Sequence, residues 1–170
     1  IWNIEQVLYM AENIKKIAPK TVVVLGGPEV TYCAAQLMQR HSGIDYIIAG
    51  EGEEAFRRWV EAWKGKGDMS GIGGLIYRIG DNIVENPLSE PPDLNAIPLS
   101  YGIDEDLEHK LVYYETSRGC HFRCAFCFSS LDPGVREAQL YKVEKDLMFF
   151  TSKKVRTVKL VDRSFNSNLK

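Results

Sequence analysis

A chain of 170 residues with 45% hydrophobic and 26% charged side chains matches a packed globular protein and excludes wholesale disorder. Its formal net charge of −2 offers no electrostatic reason to expect nucleic acid or an anionic membrane as partner. No uninterrupted apolar run approaches the ~18 residues a membrane-spanning helix needs, and the opening Ile1-Trp2-Asn3-Ile4-Glu5 lacks the basic and apolar regions of an export signal.

Ile4, Val7, Leu8, Ala11, Ile14 and Ile17/Ala18 recur at helical spacing until Pro19 stops them. Thr21-Val22-Val23-Val24-Leu25 is a β-branched run of the kind buried in parallel sheets, and Gly26-Gly27-Pro28-Glu29 breaks it. A second helix is expected with Val30, Ala34, Leu37, Met38 and His41 on one face. Asp45-Tyr46-Ile47-Ile48-Ala49 is a second buried strand, closed by Gly50-Glu51-Gly52-Glu53, and Ala55, Phe56, Trp59, Val60 and Trp63 line a third helix. Alternation of helix and strand predicts a partial doubly wound, Rossmann-like parallel sheet with right-handed crossovers. Residues 74–79 and 83–85, separated by Gly80-Asp81-Asn82, read as a β-hairpin added to that sheet's edge. Residues 86–102 hold Pro87, Pro91, Pro92 and Pro98, which stiffen an extended spacer. Domains are therefore expected at 1–86 and 110–170, joined by a proline-rich linker at 87–109.

Ligands of such sheets bind outside the carboxyl ends of the strands, where both glycine-rich loops fall. Glycine lets a ligand approach the backbone closely. Neither loop reads Gly-x-Gly-x-x-Gly, so a nicotinamide dinucleotide is not indicated. Plain turn chemistry is an equal alternative at this point.

In the second half, Leu111-Val112-Tyr113-Tyr114-Glu115-Thr116 is a strand, residues 135–150 are helical with Leu140, Val143, Leu147 and Phe150 in one stripe, and residues 155–161 form a further strand ending at Asp162. This is one βαβ unit with its polar candidates at strand C-termini, the place where (β/α) barrels keep their active sites. Between the first strand and the helix lies Cys120-x3-Cys124-x2-Cys127. Thiolates so close together point at one soft metal centre. Three ligands are one short of a closed zinc or iron–sulfur site. Either a fourth ligand comes from elsewhere, or the open corner is where chemistry happens. Clustered cysteines without an export signal point to a reducing cytoplasm and metal binding over disulfides. Cys33, alone on the second helix, reads as a small buried side chain.

Two resemblances add to this reading. Residues 24–29 and 48–53 resemble the later part of the cobalamin-binding domain that precedes radical S-adenosylmethionine (SAM) barrels, and the resemblance implies that Gly26, Gly27, Pro28, Glu29, Gly50, Glu51, Gly52 and Glu53 lie along the corrinoid. The strand that would begin such a domain and its Asp-x-His-x-x-Gly cobalt-ligand motif are not in the chain, and His41, His109 and His121 read as ordinary surface or helix residues. The C-x3-C-x2-C spacing with Phe126 before its last cysteine resembles the radical SAM superfamily. That resemblance implies a 4Fe-4S cluster on Cys120, Cys124 and Cys127, its fourth iron chelated by SAM, and reductive cleavage of SAM to a 5′-deoxyadenosyl radical. It further implies that Phe126 packs on the adenine and that Asp162 and Asn166, in Asp-x-x-Phe-Asn, lie beside SAM.

The fold expected is α/β: a partial cobalamin-type sheet followed by the first βαβ unit of a radical SAM barrel, cut at both ends. The function expected is cobalamin-dependent radical methyl transfer, served by an external one-electron reductant and acting on a small-molecule or unknown substrate. A segment of this kind is expected to be inactive alone and to self-associate through open sheet edges. The readings left open are loop packing for Phe126, a polar strand-to-helix turn for Asp162, solvated charges for Arg118 and Arg123 (otherwise tuners of the cluster's potential), and a non-catalytic electron-transfer cluster closed by Cys33 or a structural zinc domain for the cysteines.

Overall fold

The computed structural model describes residues 3–131 and 134–165 and divides the chain into two compact units, Ile1–Pro92 and Asp93–Lys170. The first contains α1 (Ile4–Ile17), β1 (Val24–Gly26), α2 (Pro28–Thr31), α3 (Ala34–Arg40), β2 (Tyr46–Ile48), α4 (Glu53–Trp63), β3 (Leu75–Ile79) and β4 (Asn82–Glu85). Strands β1 and β2 pair in parallel with Gly26 opposite Ile48, while β3 and β4 add antiparallel in the order β1-β2-β3-β4. The hairpin thus extends the edge of the sheet, and Gly80 supplies the positive φ (58°) its turn requires.

Side chains alternate along a strand, and here both faces are covered. Ile47 and Ile76 pack with Val30, Ala34, Met38 and Ile44 on one face; Ile48, Leu75 and Tyr77 pack with Ala55, Trp59 and Ile72 on the other. Burial of both faces is why β1 and β2 read as continuous apolar runs. The helix expected over the GGPE loop's exit is two short ones. They part at Tyr32 and Cys33, where the backbone of Cys33 turns to φ −135°, ψ 22°. Thr31 accounts for the break: its hydroxyl donates back to the Gly27 carbonyl (2.9 Å), competing with the helix ladder.

The second unit contains β5 (Leu111–Tyr114), β6 (Ser117–Gly119), a 3-10 turn (Phe128–Leu131), β7 (Val135–Glu137), α5 (Leu140–Ser152) and β8 (Thr157–Leu160). Strands β5 and β8 pair in parallel, with α5 making the crossover between them. Leu107, Val112, Tyr114 and Phe150 form the core, joined by Leu99 and Tyr101 from the proline-rich stretch. The Tyr114 hydroxyl donates to Asp146 (2.8 Å), which also receives Lys142 (2.6 Å), so the buried carboxylate is satisfied where α5 crosses β5. The Tyr101 hydroxyl accepts the Tyr113 N–H (2.7 Å) and donates to its carbonyl (3.0 Å), blunting that edge of β5.

A further expectation is corrected. The helix does not begin at Val135: residues 135–137 are strand β7, paired antiparallel with β6, and the helix starts at Leu140 after an extended Gln139. Pairing with β6 overrides a local helical pattern. Among the described residues, no helix is long and apolar enough to cross a membrane.

Candidate functional site

Each unit carries one candidate site at the C-terminal ends of its parallel strands. In the first, β1 ends at Gly26, and Gly27 follows with φ 99°, a conformation that favours glycine. A Cβ on Gly27 would meet nothing within 4 Å, so its backbone faces open space. Pro28 then occupies the first turn of α2, where a missing N–H costs nothing. Beyond β2, Gly50 again has positive φ (80°), and Gly52 caps α4. The two loops are tied together by Thr31: the Gly50 N–H donates to its hydroxyl (3.1 Å), which donates in turn to the Gly27 carbonyl (2.9 Å). A Cβ on Gly74 would overlap the Ala49 carbonyl oxygen just before the second loop, so only glycine fits there.

Glu53 and Glu54 already complement the N-terminus of α4. That argues against an anion such as a dinucleotide phosphate and for a ligand that meets the loops through neutral backbone. The open backbone at Gly27, beside the solvent-exposed Gly26 and Gly50, leaves room for a ligand such as a corrinoid edge. Thr31 is the residue that motif reading passed over. Its signal was its place four residues after Gly27.

In the second unit, β6 delivers the chain to Cys120. Gly119 has φ 96°, and a Cβ on it would overlap the Gly134 carbonyl oxygen on the approach to β7. The ribbon can close only with glycine there. The Cys127 N–H then donates to the Cys124 carbonyl (3.0 Å) and the Ser130 N–H to the Cys127 carbonyl (3.0 Å), a succession of turns leading into the 3-10 helix. All three thiols are free and half-buried. Cys120 Sγ lies within reach of the Phe122 N–H (3.5 Å) and the Ser164 hydroxyl (3.3 Å). The Cys127 thiol is held below its usual range, first by the Ser129 hydroxyl, then by the Ser129 N–H, and least by the charge of Arg163. Donors aimed at sulfur suit thiolate ligands, so the donor set fits an iron–sulfur cluster. The loop is not drawn up around a metal: among the described residues, no three His, Cys, Asp or Glu side chains are grouped to hold one.

The other expected residues are placed as follows. Phe126 is 94% exposed, so its ring is not consumed by packing within the loop. Asp162 follows β8, and its Oδ1 accepts the Thr116 N–H (2.8 Å) and hydroxyl (3.0 Å), the Ser117 N–H, and the Ser117 hydroxyl (2.9 Å). Asn166 lies outside the described residues. Arg118 pairs with Glu115 (2.7 Å). Cys33 belongs to the first unit, with its thiol donating to the Glu29 carbonyl (3.4 Å), and His41 Nδ1 lies 2.9 Å from Glu12 Oε1.

Residues 1–60 match the B12 binding domain family. An uncharacterized methyltransferase of Pyrococcus horikoshii is 32% identical over 75% of this chain and 29% of its own length. The cobalamin-dependent radical SAM methyltransferase TokK of Streptomyces tokunonensis is 27% identical over 97% of this chain and 26% of its own. The anaerobic magnesium-protoporphyrin IX monomethyl ester cyclase of Rubrivivax gelatinosus is 31% identical over 75% and 24%. The solved structure of the cobalamin-dependent S-adenosylmethionine radical enzyme OxsB, with aqua-cobalamin and S-adenosylmethionine bound, superposes with a TM-score of 0.75 at 17% identity, covering 96% of this chain and 24% of that one; it shows likeness of fold. The chain spans between 24% and 29% of the length of these curated relatives.

Proposed function

We propose that this chain is part of a cobalamin-dependent radical SAM enzyme and holds two cofactor sites of a methyltransferase: a corrinoid along residues 26–29 and 50–53, and a 4Fe-4S cluster on Cys120, Cys124 and Cys127. The observation that carries this reading is the place of the cysteine loop. It sits beyond the C-terminal end of β5 in a βαβ unit, downstream of the B12-binding match. When bound, the cluster supplies one electron for cleaving SAM and the corrinoid a transferable methyl group.

The chain's own residues position these groups. Gly27 and Gly50 present bare backbone to the corrinoid, and Thr31 holds the two loops at a fixed spacing. Phe126 offers an exposed ring on which an adenine can stack. The Phe122 N–H and the Ser164 hydroxyl aim at Cys120 sulfur. An external one-electron donor completes the set.

Methyl transfer is favoured because two of the three relatives are named methyltransferases; the cyclase relative supports radical cyclisation as a second reading. The test is anaerobic reconstitution of the full-length protein with iron, sulfide and hydroxocobalamin, followed by methyl-labelled SAM and dithionite. The expected result is bound iron, bound corrinoid and release of 5′-deoxyadenosine, with label moving to the corrinoid. Iron without 5′-deoxyadenosine would favour an electron-transfer module. Stoichiometric zinc in place of iron would favour an interaction domain.

A further inference from the structure

Three consecutive residues beyond β8 each engage a different part of the cysteine loop. Asp162 Oδ1 gathers four donors from Thr116 and Ser117, at the root of the loop. Arg163 Nη1 donates to the Ser129 hydroxyl, in the turn that follows Cys127. The Ser164 hydroxyl donates to Cys120 sulfur at 3.3 Å. These contacts join residues 34 to 46 apart in sequence, so they are a product of the β5–β8 pairing and not of local turn chemistry.

We propose that Asp162-Arg163-Ser164 is a brace of positioning residues: it fixes the root of the cysteine loop, sets a hydrogen bond to its first sulfur and ties a cationic side chain to the turn after its last cysteine. The inference rests on the reading of Cys120, Cys124 and Cys127 as cluster ligands. Asp162 then acts through the loop. Its Oδ1 is fully engaged, and its Oδ2 is buried with no hydrogen-bond partner among the described residues. Charge-assisted bonds to one carboxylate oxygen are individually among the stronger hydrogen bonds in proteins, and four of them converge where the chain leaves β5. Ser164 and Arg163 act on a different quantity. Donors and positive charge near cluster thiolates stabilise the reduced, more negative form and so raise its potential.

The experiment uses the full-length protein, with two readouts. In the metal-free protein, hydrogen exchange at the Thr116 and Ser117 amides is expected to quicken about tenfold or more in Asp162→Ala, with Asp162→Asn, which keeps an acceptor oxygen, restoring most of the protection. In the reconstituted protein, Asp162→Ala is expected to weaken iron retention about tenfold or more. Ser164→Ala and Arg163→Ala are expected to keep their iron and shift the midpoint potential to more negative values. Unchanged exchange in Asp162→Ala would overturn the brace, and so would unchanged potentials in both other variants. A wild-type protein that takes no iron yet shows the exchange effect would sink the cluster reading and leave the brace standing.

Discussion

The two units solve the same problem, holding a loop beyond the end of a parallel strand, by different means. In the first, the loops are held by backbone conformation and by a sheet buried on both faces; Gly27 and Gly50 sit directly on β1 and β2, and one hydroxyl, Thr31, links them. In the second, the cysteine loop leaves the sheet through the short β6–β7 ribbon, and its polar anchors come from a segment more than 30 residues further along the chain. A site built from turns is set by local sequence. A site built from long-range side-chain bonds depends on the whole unit being folded, and so can be perturbed from afar.

Glycine substitutions give the largest expected effects and test both units alike. Gly119→Ala places a Cβ into the Gly134 carbonyl at a positive φ, so the ribbon is expected to open and iron loading to be lost, as read by iron content after reconstitution. Gly74→Ala makes the matching overlap with Ala49 in the first unit and is expected to lower thermal stability and corrinoid binding while leaving iron loading intact. Loss of iron in Gly74→Ala would mean that the two sites are not independently held.

Next comes Tyr114→Phe, which strips one partner from the buried Asp146 and is expected to cost about 1.5–3 kcal/mol in denaturant unfolding. It also has a pH signature. Burial, and then the neighbouring Asp146, push the Tyr114 hydroxyl well above its ordinary value of 10.0. A group whose folded pKa is raised contributes stability fully below the unfolded pKa and loses it as pH rises beyond. Stability of the native chain is therefore expected to fall above about pH 10, and Tyr114→Phe to lack this component of the fall. The smallest effect is that of Thr31→Val: about 1 kcal/mol of stability, with weaker corrinoid binding because the spacing of the two loops is no longer set. Unchanged corrinoid affinity in Thr31→Val would assign the loop spacing to the sheet alone.

Helix α1, the two parallel strands and the β3–β4 hairpin were legible in the sequence because each is written in local apolar periodicity ended by Pro19, Gly26, Gly50 or Gly80. What stayed hidden is non-local. The break at Tyr32-Cys33 follows Thr31, whose hydroxyl also accepts the N–H of Gly50, 19 residues away. Strand β7 exists because Val135 finds Gly119, and three residues carry too little periodicity to announce a strand. The cysteine spacing was plain, yet the hydrogen bonds of Asp162 could not be read from its motif, because its donors lie 45 and 46 residues back along the chain.

The central claim is that the three-cysteine loop holds a cluster with one iron left open to SAM. The most direct measurement is the EPR spectrum of the reduced, reconstituted full-length protein with and without SAM, taken for wild type and for Cys33→Ala. The account predicts a 4Fe-4S signal that SAM perturbs and that Cys33→Ala leaves unchanged. A signal indifferent to SAM and abolished by Cys33→Ala would contradict it, for the site would then be closed by a fourth protein thiolate.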